Sequence, residues 1–274
     1  MRIKIIGAIV IATAAIAAFF MLSKNEIKTQ TLRIATTPGA LADSLYAAVT
    51  DAKAQGIDLE VVEFIEWAGP NISLDNEDVD LNYFQHTAFL NKVLEVKKYP
   101  FKVVAYGVQP NIGLYSLKHK SMNKIPYRGK VSIANDPVNQ GRGLLLLQKA
   151  GLIKLKEGVG YLGKLDDIVE NPKELTFLET EGPQIVRVIN DMDIAVCYPA
   201  HIVIAKTFDA SSGLIYSGVE DILFAITFVA KDNHADDPLI HKFIDIYHNS
   251  QAVRDAIHKA NNNDGNLYSI AWSK

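Results

Sequence analysis

The chain of 274 residues is 49% hydrophobic and 22% charged with a net charge of −3, the balance of an ordinary globular protein long enough for one large domain or two lobes. The near-neutral charge and the lack of a basic cluster argue against a nucleic-acid partner. A single cysteine, Cys197, excludes an internal disulfide framework and a cysteine-based zinc site.

Residues 1–30 stand apart from the rest. Arg2 and Lys4 precede an uncharged apolar run over 5–22, and a polar stretch follows over 23–30. This reads as a signal sequence or an N-terminal membrane anchor with its positive end held in the cytoplasm. Ala15-Ile16-Ala17 offers a small-residue cleavage site. Phe19, Phe20, Met21 and Leu22 nevertheless carry the run on to a length that just spans a bilayer, which favours an uncut helix. No cysteine lies here, so a Cys-lipidated lipoprotein is not expected. The expected location is the periplasm or the outer face of the cytoplasmic membrane.

From Thr31, β-like runs alternate with helical stretches. A strand over 32–36 turns at Thr37-Pro38-Gly39 into a helix over 40–55, with Leu41, Leu45, Ala48 and Val49 on one face. A strand over 59–64 is followed by Trp67 and a turn at Gly69-Pro70-Asn71; Trp67 either covers a ligand or caps the core. The acidic run Asp75, Glu77, Asp78 and Asp80 reads as solvated surface. A strand over 80–84 leads into a helix through Leu90 and Leu94, and extended segments over 102–108 and 113–116 flank Gln109-Pro110-Asn111. A second series has strands over 130–134, 176–179 and 193–198, with helices from Asn139 to Gly151 and over 183–190. Residues 219–231 read as β-rich and 238–260 as mostly helical. This alternation predicts an α/β protein with parallel sheets in two lobes. Lobe 1 would span 31–110, completed by about 206–274, and lobe 2 would span 111–205. A ligand cleft would lie between them at a hinge, beyond the carboxyl ends of the strands.

Residues 130–152 carry the most chemistry. A helix N-terminus presents unpaired N–H groups and a partial positive charge. Asn139 is a candidate N-cap there, and Arg142 lies about one turn in, with a planar fork that can hold a carboxylate. The segment reads either as a receptor for a small carboxylate or as an ordinary βα turn with a solvated arginine. His86, at a strand end after two aromatic residues, reads on its own as a turn histidine. The scattered remaining histidines suit no metal site, since His241 and His248 are seven apart. Cys197 on an apolar strand reads as a small buried hydrophobe. No nucleophile elbow, Walker loop, GxGxxG or HExxH occurs, so neither catalysis nor a cofactor is expected.

Several stretches resemble the NlpA/MetQ family of methionine-binding receptors of bacterial ABC importers: LNYFQHTAFLNK (81–92), GLYSLKHKSMNKIP (113–126), VSIANDPVNQGRGLLLLQKAGLIKLK (131–156), DIVENPKELTFLE (167–179) and DMDIAV (191–196). The resemblance runs from about Leu32 to the C-terminus. It implies a type II periplasmic-binding-protein fold, binding rather than catalysis, and docking onto a membrane permease driven by a cytoplasmic ATPase, with the receptor itself a monomer. It further implies that Tyr83, Phe84 and His86 enclose the ligand side chain while Asn139 and Arg142 grip its carboxylate. The chain departs from the family in two places. Ala200, within Cys197-Tyr198-Pro199-Ala200-His201, stands where the family places an Asn on the ligand head group, and Leu223-Phe224-Ala225-Ile226 lacks a second family Asn. Tyr198 and His201 are expected to replace those contacts. Methionine or a related small amino-acid-like carboxylate is the expected ligand. The alternatives are a changed cargo (a dipeptide or a non-amino carboxylate) and a membrane-tethered scaffold without a small-molecule ligand.

Overall fold

The computed structural model describes residues 29–218 and 222–273. Residues 1–28 of the expected signal or anchor, and 219–221 of the expected β-rich stretch, lie outside them. Among the described residues no helix is long and apolar enough to cross a membrane.

The first half of the chain runs β1 (Gln30–Thr36), α1 (Ala40–Ala54), β2 (Ile57–Glu63), α2 (Gly69–Asp75), β3 (Leu81–His86), α3 (Thr87–Lys97) and β4 (Phe101–Tyr106). It then crosses over through β5 (Val108–Pro110) to β6 (Gly113–Tyr115). The second half runs β7 (Lys130–Ala134), α4 (Pro137–Lys149), β8 (Lys154–Leu155), β9 (Ile168–Glu170), β10 (Thr176–Thr180), α5 (Ile185–Val188), β11 (Ile194–Cys197), α6 (Pro199–Ala205) and β12 (Ile215–Tyr216). The chain closes with β13 (Ile226–Lys231), α7 (Pro238–Asn249), α8 (Gln251–Ala260) and β14 (Tyr268–Ile270).

Two five-stranded sheets result, in the orders β2-β1-β3-β13-β4 and β10-β7-β11-β6-β12. They are mixed rather than parallel. β1 pairs in parallel with β2 and β3, as β7 does with β10 and β11. By contrast β13 runs antiparallel to β3 and β4, and β6 runs antiparallel to β11 and β12. The reversed strands are those that the chain enters from the other sheet, without the crossover helix that parallel pairing needs. The second sheet also extends beyond the expected return at residue 205, because Ile215 and Tyr216 pair with Leu114 and Gly113.

Each sheet is closed by its own core. Leu45, Ala48 and Ala52 of α1 pack with Phe243 and Tyr247 of α7 and Val253 and Ile257 of α8 over β1 and β3. Leu144 and Leu147 of α4 pack on Val131, Ile133 and Ile194 of the second sheet. The expected helix over 238–260 is two helices. Ser250 breaks it by adopting an extended conformation and accepting from the Val253 N–H, so it caps the second helix. Gly69-Pro70-Asn71, expected as a turn, opens α2 instead, with proline at a position where its missing N–H costs nothing. The carboxyl ends of β1, β3 and β11 all point at the space between the two sheets.

Candidate functional site

That space is a cavity of about 80 Å³. Pro38 and Leu41 after β1, Phe84 and His86 of β3, Phe89 of α3, Pro110 of the crossover, Asn139 of α4 and Tyr198 and His201 after β11 stand on its wall. Residues from both sheets therefore close on one volume, and most of its surface is apolar or aromatic.

Its polar corner is set by the start of α4. Asp136, not Asn139, is the N-cap: its carboxylate accepts from the Asn139 backbone N–H at 2.9 Å, and Pro137 fills the first turn. The Asn139 side chain is thereby free for other work. Its amide nitrogen donates to both Asp136 oxygens, at 3.1 and 3.0 Å, so its Oδ1 faces the cavity corner. There Oδ1 accepts from the Tyr198 hydroxyl at 2.8 Å and from His86 Nε2 at 3.1 Å. The histidine tautomer follows, because His86 Nδ1 accepts from the Phe89 N–H at 3.0 Å and caps α3. His86 is thus both a helix cap and a cavity residue, and its bond to Asn139 ties the first sheet to the second.

Arg142 lies one turn further along α4 and is 4% exposed. Its Nη1 donates to the Tyr198 hydroxyl at 3.0 Å and its Nη2 to the Pro110 carbonyl at 2.9 Å. The guanidinium lies over the Phe224 ring, 4.3 Å from its centre. Arg142 therefore stands directly behind Tyr198 and Pro110 instead of forming the wall itself. Among the described residues no carboxylate pairs with it. The alternative of a solvated arginine is excluded by this burial.

Burial governs the titrating groups. It pushes the His86 imidazole down to about 3, helped by the Arg142 charge, and His201 down to about 4. It also raises the Tyr198 phenol, which stays a neutral donor, and raises the Asp136 carboxyl against the hydrogen bonds from Asn139. Both histidines are neutral in the fold and bind protons in the unfolded chain below its ordinary histidine value of about 6.5. Their contribution to stability is therefore present above that value and is lost as pH falls towards 4 and then 3. The melting temperature is expected to drop between pH 7.5 and 5, and His86→Gln should flatten the slope; an unchanged slope would refute the assignment.

Tyr83 is not a cleft residue. Its ring is fully buried and stacks on Phe228 at 4.0 Å, while its hydroxyl accepts from the Val108 N–H and bonds Tyr247. Side chains alternate across a strand, so Phe84 and His86 meet the cavity from the opposite face. Tyr83→Phe should cost about 1–2 kcal/mol of stability and leave ligand affinity unchanged. Calorimetry on the variant checks both, and a weakened affinity would restore Tyr83 to the site.

Trp67 is half-buried and bridges the two sides. It packs edge-on against Phe89 at 5.9 Å and tilts over His201 at 6.3 Å. It also lies so close to Gly182 that a Cβ there would sit 2.2 Å from its ring. Phe89, Phe224 and Pro110 escaped the sequence reading. Phe89 follows His86 by three residues on a helix, a spacing that could have marked it; nothing local marks Phe224. Ala200 lines the cavity and Ala225 is fully buried, so neither offers a side-chain amide to a ligand.

Two mixed α/β lobes meeting over a shared cavity define the class of two-lobed substrate-binding proteins. Within it the chain belongs to the NlpA lipoprotein family, whose model matches residues 32–269. It is 38% identical over 216 residues, 76% of each chain, to the D-methionine-binding lipoprotein MetQ of Escherichia coli K12. Among solved structures it resembles the methionine binding protein MetQ, with a TM-score of 0.83 and 33% identity over 88% of this chain and 98% of that one. It also resembles the substrate binding protein of a methionine transporter from Streptococcus pneumoniae, with a TM-score of 0.80 and 30% identity over 88% of this chain and 96% of that one. A nutrient binding protein from Burkholderia cenocepacia bound to methionine has a TM-score of 0.80 and 29% identity, over 88% and 99%. Relatives are named lipoproteins, whereas Cys197, the single cysteine of these 274 residues, is buried in β11.

Proposed function

We infer that the chain is an extracytoplasmic receptor that encloses methionine or a related small amino-acid-like carboxylate and hands it, as a monomer, to an ABC permease and its ATPase. Its role is binding rather than catalysis. Residues 31–110 together with the segment from about 217 onward form one lobe and 111–216 the other, and the apolar run over 5–22 serves as a signal for export or as a membrane anchor.

The observation that carries this reading is the buried Arg142 cation, which no carboxylate side chain among the described residues pairs, behind the polar corner of the cavity. A buried cation is costly unless it is matched, and a ligand carboxylate that takes the Tyr198 hydroxyl proton in place of Asn139 Oδ1 would match it. Trp67, Phe84 and Phe89 then face the ligand side chain, and aromatic rings make favourable contacts with a thioether. The solved relatives whose titles name methionine support the same ligand class.

A thermal-shift panel of L-methionine, D-methionine, methionyl dipeptides and non-amino carboxylates tests the reading, since a ligand bound only by the folded state raises the melting temperature by mass action. At least one carboxylate of the panel is expected to do so. A flat panel would leave the scaffold alternative in its place.

A further inference from the structure

The partition between the cavity and the protein surface rests on one indole and one missing side chain. Trp67 lies on the loop from β2 to α2, where Ile65, Glu66 and Ala68 are exposed and the indole alone is turned inward. Its ring borders the cavity and also two surface grooves on either side of it. Exposed Ile72 and Val96 line the first groove, and exposed Ile65 and Ile204 line the second. Displacing this ring would join the cavity to both. Phe89 supports the indole edge-on from the side of the first sheet, while the indole reaches across to His201 and Gly182 on the side of the second.

Gly182 makes room for the far edge of the indole. A Cβ there would stand 2.2, 2.8 and 2.9 Å from three carbons of its six-membered ring, well inside ordinary contact. Gly182 is buried and its φ is not positive, so the backbone conformation does not itself require glycine. Its backbone also bonds the His201 side chain, which fastens together the two residues under the indole. The clash would fall on the far end of a side chain carried by an exposed loop. The ring, and not the fold, would therefore give way.

We propose that Gly182 is a positioning residue for ligand capture: lacking a side chain, it seats the Trp67 indole across the two sheets, and the seated ring shuts the bound ligand off from solvent. This rests on the receptor reading above. Titration calorimetry of the full 274-residue chain with L-methionine and D-methionine, in a cycle of Gly182→Ala and Trp67→Phe, tests it. Gly182→Ala should keep a melting temperature close to the parent's and bind the tighter isomer about tenfold more weakly or worse. In Trp67→Phe, whose single ring lacks the atoms that a Cβ at 182 would meet, the same change should cost less than about twofold. Gly182 also precedes Pro183, where a side chain disfavours helical backbone. That local effect is equal in both backgrounds, so only the seating of the indole predicts a rescue. Equal losses in the two backgrounds, whether of affinity or of folding, or full affinity in Gly182→Ala, overturn the proposal while binding by the parent keeps the receptor reading. A parent that binds neither isomer removes both.

Discussion

Arg142→Ala is expected to weaken carboxylate binding by about 2–5 kcal/mol, roughly thirty- to several-thousand-fold, as for a desolvated charge pair that loses one partner. The change removes more than a point charge. The guanidinium holds the Tyr198 hydroxyl at 3.0 Å and the Pro110 carbonyl at 2.9 Å, so the polar corner and the crossover strand lose their common anchor. Arg142→Lys separates the two effects: it keeps the charge but lacks the planar fork that serves two partners, and should recover only part of the affinity. Calorimetry with the tightest acid of the panel measures both variants. Full affinity in Arg142→Ala would show that the carboxylate is held elsewhere.

Gly141→Ala is expected to be the most damaging single-methyl change in the second lobe. Helix propensity alone favours alanine at an interior position by about 1 kcal/mol. Sterics oppose it, because a Cβ on Gly141 would stand 2.0 Å from the Tyr161 carbonyl oxygen and 3.1 Å from that of Gly163. These atoms are backbone and cannot rotate away, so α4 must shift, and overpacking of this kind costs about 1–3 kcal/mol or more. Arg142 and Asn139 flank this position, and their polar corner would move with the helix. Urea denaturation should show the loss and calorimetry a weaker ligand. Gly265→Ala, where a Cβ would meet nothing within 4 Å, serves as the control. Equal stability of Gly141→Ala and the parent would contradict the close approach.

The repeating elements were legible because their signals are local. The spacing of Leu41, Leu45, Ala48 and Val49 marks α1, although the structure buries Leu45, Ala48 and Ala52 and leaves Leu41 and Val49 half-buried, and the β-branched run before Asn135 marks β7. The start of α4 was misjudged by three residues: Asp136-Pro137 is itself a cap followed by a first-turn proline, and Asn139 drew attention away from it. Tyr83 was misplaced for a different reason. Every residue of β3 is buried, so no polar alternation distinguishes the face that meets the core from the face that meets the cavity. The antiparallel seat of β13 and the stacking of Phe224 on Arg142 depend on the chain returning from the other sheet, which leaves no trace at short range. The site was therefore readable where one helix N-terminus carries it, and unreadable where distant segments complete it.

Whether a ligand carboxylate answers the buried guanidinium is decided by a double-mutant cycle. The affinity of the tightest acid of the panel is compared with that of its carboxamide, in the parent and in Arg142→Ala. Neutralising the carboxylate should cost about a hundredfold or more in the parent and almost nothing in the variant. Equal costs in both proteins would mean that Arg142 and the carboxylate never meet.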